Sequence, residues 1–98
     1  MLVHLYSETP TTASGAWAGN TPKFSGVLAK QLIVSPATAT TEYDVQVENS
    51  KGKTIKRYDD SLGRLDVDLD TPLKGIYTIR ITNATADEDF FVHLASLE

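Results

Sequence analysis

Three segments of this chain alternate apolar and polar residues with a period of two. In Tyr43–Glu48, Tyr43, Val45 and Val47 fall on one side, and Asp44, Gln46 and Glu48 on the other. Leu65–Asp70 sets Leu65, Val67 and Leu69 against three aspartates. Ile76–Thr82 sets Tyr77, Ile79 and Ile81 against Thr78, Arg80 and Thr82. A β-strand turns successive side chains to opposite faces, so each segment reads as a strand with one face in a core and one in water.

Two further strands are expected. Thr54–Tyr58 is short and polar, with Ile55 as its apolar contribution; Lys53, Lys56 and Arg57 mark it as an edge. Phe24–Ser35 carries Val27, Leu28, Leu32, Ile33 and Val34, which puts apolar groups on both faces. Such a strand is covered twice, by its own core and by either the N-terminal segment or another subunit. Turn signals at Pro36–Thr41, Asn49–Gly52, Asp59–Gly63 and Thr71–Gly75 separate the strands at near-regular spacing. Spacing of that kind belongs to sandwiches and barrels, not to βαβ units. The expectation is an all-β sandwich of about seven strands.

The 98 residues leave room for a single domain over 1–98, and 41% apolar content is enough to fill its core. The chain contains no cysteine, so disulfides, thiolate metal sites and a thiol nucleophile are excluded. The first residues carry neither a basic region nor a long apolar stretch, so a protein starting at Met1 is expected to be made in the cytoplasm and not secreted. The longest apolar cluster, Leu32-Ile33-Val34, is too short for a membrane span. A net charge of −4 argues against generic nucleic-acid binding.

Residues 8–23 and 85–97 resist the period-two reading. The first is small and polar throughout and reads as an irregular arm or long loop. It contains the chain's single tryptophan, in Gly15-Ala16-Trp17-Ala18-Gly19. Trp17 either folds back over its own core or anchors a neighbouring molecule. The second begins with a capping box, Thr85-Ala86-Asp87-Glu88, which would put Phe90, Phe91, Leu94 and Leu97 on one helical face. Phe90-Phe91-Val92-His93-Leu94 is nonetheless rich in β-formers, so strand and helix both stand for 85–97, and strand is the reading taken.

The search for chemistry yields little. Gly52-Lys53-Thr54 resembles the end of a phosphate-binding loop, but Val47 occupies the position of its first glycine. His4 and His93 have no neighbouring ligand at metal-binding spacing. Asp66, Asp68 and Asp70 line one strand face about 7 Å apart, in water, which is no arrangement for paired acid and base. Calcium candidates are Asp59, Asp60, Asp66 and Asp68, or Asp87, Glu88 and Asp89, none in a D-x-D-x-D-G loop. Lys51, Lys53, Lys56 and Arg57 form a basic hairpin that pairs across its sheet or protects its edge. Asn83-Ala84-Thr85 matches a glycosylation sequon, without a secretory signal to give it meaning. No catalytic residue, cofactor or resident metal is expected.

Leu73-Lys74-Gly75-Ile76-Tyr77 resembles the L-x-G-x-Y tyrosine corner of Greek-key sandwiches of the immunoglobulin-like and fibronectin-III-like kind. The resemblance implies that the Tyr77 hydroxyl bonds back to the chain just upstream. In architecture the chain also resembles small bacteriophage virion proteins with a stand-alone Ig-like sandwich. That resemblance implies a non-enzymatic structural protein of the virion, a capsid decoration protein in the first instance and a tail or adaptor component as the alternative. It further implies a homo-oligomer whose partners are the major capsid protein or other virion subunits. Trp17, Val27, Leu28 and Ile33 are the residues expected to make those contacts. A carbohydrate-binding module is the other class, with Trp17, Tyr6 and Tyr58 as its candidate platform.

Overall fold

The alternating segments form the strands that their period requires. A computed structural model describes the backbone of residues 2–97 and the side chains of residues 4–96. Among these residues are eight strands: β1 (Leu2–Glu8), β2 (Trp17–Asn20), β3 (Phe24–Pro36), β4 (Glu42–Glu48), β5 (Thr54–Leu62), β6 (Leu65–Gly75), β7 (Thr78–Thr82) and β8 (Phe90–Leu97). They build two antiparallel sheets of four, ordered β1-β8-β3-β6 and β2-β7-β4-β5. One apolar cluster takes residues from both: Leu32, Val34, Leu73, Val92 and Leu94 from the first sheet, Tyr43, Val45, Val47, Ile79 and Ile81 from the second. The fold is therefore all-β and sandwich-like.

The β4–β5 hairpin is the one connection that stays within a sheet; the other six carry the chain from one sheet to the other. The hairpin turn matches its sequence. The Asn49 side-chain oxygen accepts from the Lys51 and Lys53 amides at 2.9 and 3.0 Å, and Gly52 supplies a φ of +79°. The last two strands, β7 and β8, lie in different sheets. This departs from the immunoglobulin order, in which the last two strands pair side by side. The bond implied by the tyrosine corner is nevertheless present, with the Lys74 amide donating to the Tyr77 hydroxyl at 3.0 Å.

The expectations for residues 8–23 and for two of the turns are corrected, and the strand reading of the C-terminal stretch holds. Residues 8–23 are not irregular throughout, because β2 lies inside them and pairs with β7. The segment is also tied to the β7–β8 loop through Thr12, which is 1% exposed. The Thr12 amide donates to the Glu88 carbonyl (2.9 Å), the Asp87 amide donates to the Thr12 carbonyl (2.9 Å), and the Thr12 hydroxyl donates to the Thr85 carbonyl (2.7 Å). Gly15 permits this approach: at φ +79°, an added Cβ would stand 2.3 Å from the Ala84 carbonyl oxygen.

The expected turns at Asp59–Gly63 and Thr71–Gly75 are largely strand. In the first, pairing skips from Tyr58 to Ser61, Asp60 takes φ +54°, and its amide donates to the Asp44 carboxylate at 2.9 Å. Turn-forming residues here build a β-bulge. In the second, Pro72 sits on edge strand β6, where a missing donor is tolerated.

The stretch 85–97 ends in a strand, not a helix. Phe90, Val92 and Leu94 enter the core while Phe91 and His93 face outward. The Leu97 side chain lies outside the described residues.

Candidate functional site

Among the described residues, the best-enclosed interior gap is small. A gap lined by Val47, Leu69, Leu73, Tyr77, Ile79 and Leu94 has a volume of about 10 Å³, room for one water. Tyr43 is buried, with its hydroxyl 3.0 Å from the Val34 carbonyl and 2.5 Å from that of Gly63. Burial pushes this phenol up to about 12, so it stays neutral and structural. Attention therefore passes to the two outer faces.

The outer face of β2-β7-β4-β5 is polar and internally bonded over most of its length, with Leu62 of β5, 61% exposed, opposite Glu42 at one end. The Thr78 hydroxyl donates to the Asn20 side-chain oxygen (2.8 Å). The Arg80 Nε donates to Glu48 (2.9 Å), and the Gln46 amide donates to the same carboxylate (2.6 Å). Arg57 Nε donates to Asp59 (2.7 Å). The Asn83 amide donates to Asp44 (2.6 Å). Together with the Asp60 amide, which contributes most, this holds the Asp44 carboxyl below its ordinary value.

The outer face of β1-β8-β3-β6 differs. Cross-strand register sets Ser7, His93, Ile33 and Asp66 in one row, and His4, Ala95, Gln31 and Asp68 in the next. Phe91 follows His93 on the same face; it is 39% exposed, and its ring centroid lies 5.9 Å from that of His93. Ile33 is buried yet stands outside the main apolar cluster, because its cover is this outer row. Beside Phe91, an open groove of about 470 Å³ runs past Thr9, Ser35, Pro36 and Asp89.

His4 and His93, 89 positions apart, meet on this face with His93 Nε2 3.1 Å from His4 Nδ1. The ring centroids are 5.2 Å apart and the planes differ by 16°. With so short an N···N distance the rings meet close to edge to edge, sharing one hydrogen bond. Burial, then the neighbouring His4, holds the His93 imidazole below its ordinary value.

Of the four expected contact residues, two lie on this face. Leu28 is 47% exposed, and Ile33 sits in the row just described. Trp17 and Val27 pack against the chain's own core. The Trp17 ring lies over Gly19 and beside the Tyr6 hydroxyl, and a Cβ on Gly19 would meet that ring at 2.3 Å. Two of the calcium candidates are otherwise engaged. Glu88 accepts from the Thr38 amide (2.8 Å), and Asp89 accepts from the Thr11 hydroxyl (2.5 Å). Among the described residues, no group of three or more His, Asp or Glu is placed to hold a metal.

Phe91 and the histidine pair were not among the residues expected to act. Phe91 was ambiguous between helix face and strand, and the pairing of His4 with His93 depends on which strands become neighbours. No protein-family model matches the chain, and no curated protein sequence matches it.

Proposed function

We propose that the chain is a non-enzymatic structural protein of a virus particle, a phage capsid decoration protein that stabilises the head through subunit contacts. The observation that carries this reading is the strand order. Two four-stranded sheets ordered β1-β8-β3-β6 and β2-β7-β4-β5, with six of seven connections crossing between them, match the double Greek key of a jelly roll. Viral capsid proteins and lectins use that architecture. The step from fold to class is an analogy, and the outer face of β1-β8-β3-β6 adds a chemical reason. Phe91 and Leu28 stand exposed there, suited to contact with the major capsid protein, another virion subunit or a second copy. A tail or adaptor role would use the same face elsewhere on the particle.

The jelly-roll order also suits a carbohydrate-binding module. That reading is the weaker one. Tyr6, Tyr43 and Tyr77 are buried, and Trp17 and Tyr58 pack against the core, so few aromatic rings remain to stack on a sugar.

Co-expression with the major capsid protein of the same genome, followed by sedimentation of the particles, tests the proposal. The chain should pellet with the particles in a fixed ratio, and Phe91→Asp should release it while leaving the circular dichroism unchanged. A chain that stays in the supernatant but binds a glycan array would establish the second reading instead.

A further inference from the structure

We propose that His4 and His93 form a chelating site for a divalent transition-metal ion on the outer face of β1-β8-β3-β6. The two facing nitrogens, His93 Nε2 and His4 Nδ1, are 3.1 Å apart. Two imidazoles bound to one tetrahedral ion, at bonds of about 2.0–2.1 Å, hold their nitrogens about 3.3 Å apart. The spacing therefore already fits, and only the ring directions must change. At present the lone pair of one nitrogen points at the proton of the other. To admit an ion, that proton moves through water to the other nitrogen of its own ring. Both rings stay neutral, both facing nitrogens become donors, and each ring swings so that its lone pair points outward. His4 is exposed on edge strand β1, which leaves its ring free to swing.

The donor set selects the ion. The pair is flanked by Ser7, Ala95, Phe91 and Ile33, while the carboxylates of this face, Asp66 and Asp68, stand two strands away on β6. Imidazole without carboxylate suits zinc, nickel and copper, and offers little to calcium or magnesium. Two protein ligands leave the remaining coordination positions open to solvent, and so to water or to a donor from another molecule.

The chain has only two histidines, so both can be followed without ambiguity. Calorimetric titration with nickel chloride and zinc chloride should show saturable binding at one ion per chain, and calcium chloride should show none. His4→Asn and His93→Asn should each weaken binding by at least the ~10–100-fold that loss of an outer-shell partner costs. In the wild type, nickel should broaden the proton resonances of both rings, a readout that needs no variant to fold. Unchanged affinity in the double variant would overturn the proposal. So would an absence of saturation at millimolar metal, or broadening of one ring alone.

Discussion

The two outer faces of this sandwich-like fold differ in how much of each is satisfied by its own polar bonds. On β2-β7-β4-β5, Asn20, Thr78, Arg80, Glu48, Gln46, Arg57 and Asp59 bond to one another along the face. On β1-β8-β3-β6, polar bonds join β3 to β6, Gln31 to Asp66 and Lys30 to Asp70, while an apolar and histidine row runs through Phe91, His93 and Ile33. A face whose polar groups satisfy each other loses much on dehydration and gains few new bonds from a partner. A face with exposed Phe91 and Leu28 gains from being covered. The contrast separates a surface suited to water from one suited to contact.

The comparison can be broken along β3, whose neighbours Leu32 and Ile33 point to opposite sides. Leu32 is fully buried in the core, so Leu32→Ala should cost about 2–5 kcal/mol in urea unfolding. Ile33 is covered only by the outer row, and Ile33→Ala should cost about 1.5–3 kcal/mol. A neutral Ile33→Ala would mean that the outer row gives it no real cover. On the polar face, Arg80→Ala should cost at most about 1 kcal/mol, since Arg80 is 44% exposed and Glu48 keeps its bond from Gln46. The same variant should leave sedimentation with capsids untouched. A larger loss in either assay would remove the distinction between the faces.

The smallest effect expected is on pH dependence. Asp44 has its carboxyl held below the ordinary 3.8 in the folded chain. Its contribution is therefore complete above that value and disappears as pH falls through the lower folded value. Asp44→Asn should flatten the acid limb of the melting temperature below about pH 4 and change little at neutrality. An unchanged acid limb would mean that the bonds from Asp60 and Asn83 do not distinguish the folded state.

Much of the architecture was legible in the chain because period two is a local signal. Strands β4, β6 and β7 announce themselves, since one face of each is apolar and the other charged or hydroxylic. Strand β2 does not. Trp17-Ala18-Gly19-Asn20 is four residues long, and Gly19 is small because the Trp17 ring occupies the space above it. The turns read at Asp59–Gly63 and Thr71–Gly75 went wrong for a different reason. Aspartate and glycine tolerate positive φ in a bulge as well as in a turn, and the residues alone do not tell the two apart. The surface site was half legible. Leu28 and Ile33 follow from the two-sided apolar pattern of β3. The His4–His93 contact follows from β1 lying beside β8, which no local pattern encodes.

The pairing of β1 with β8 also bears on how the molecule is made. The first of the eight strands finds its partner only in the eighth, so the sheet containing β1 cannot close until β8 has been made. With six crossings between sheets, nearly all productive contacts join distant parts of the chain. Topologies dominated by such contacts fold in about milliseconds to seconds, not microseconds. Early hairpin formation is available only to β4 and β5, whose turn is set by Asn49 and Gly52. Refolding should therefore begin at that hairpin, with the pairing of β1 and β8 among the contacts of greatest sequence separation.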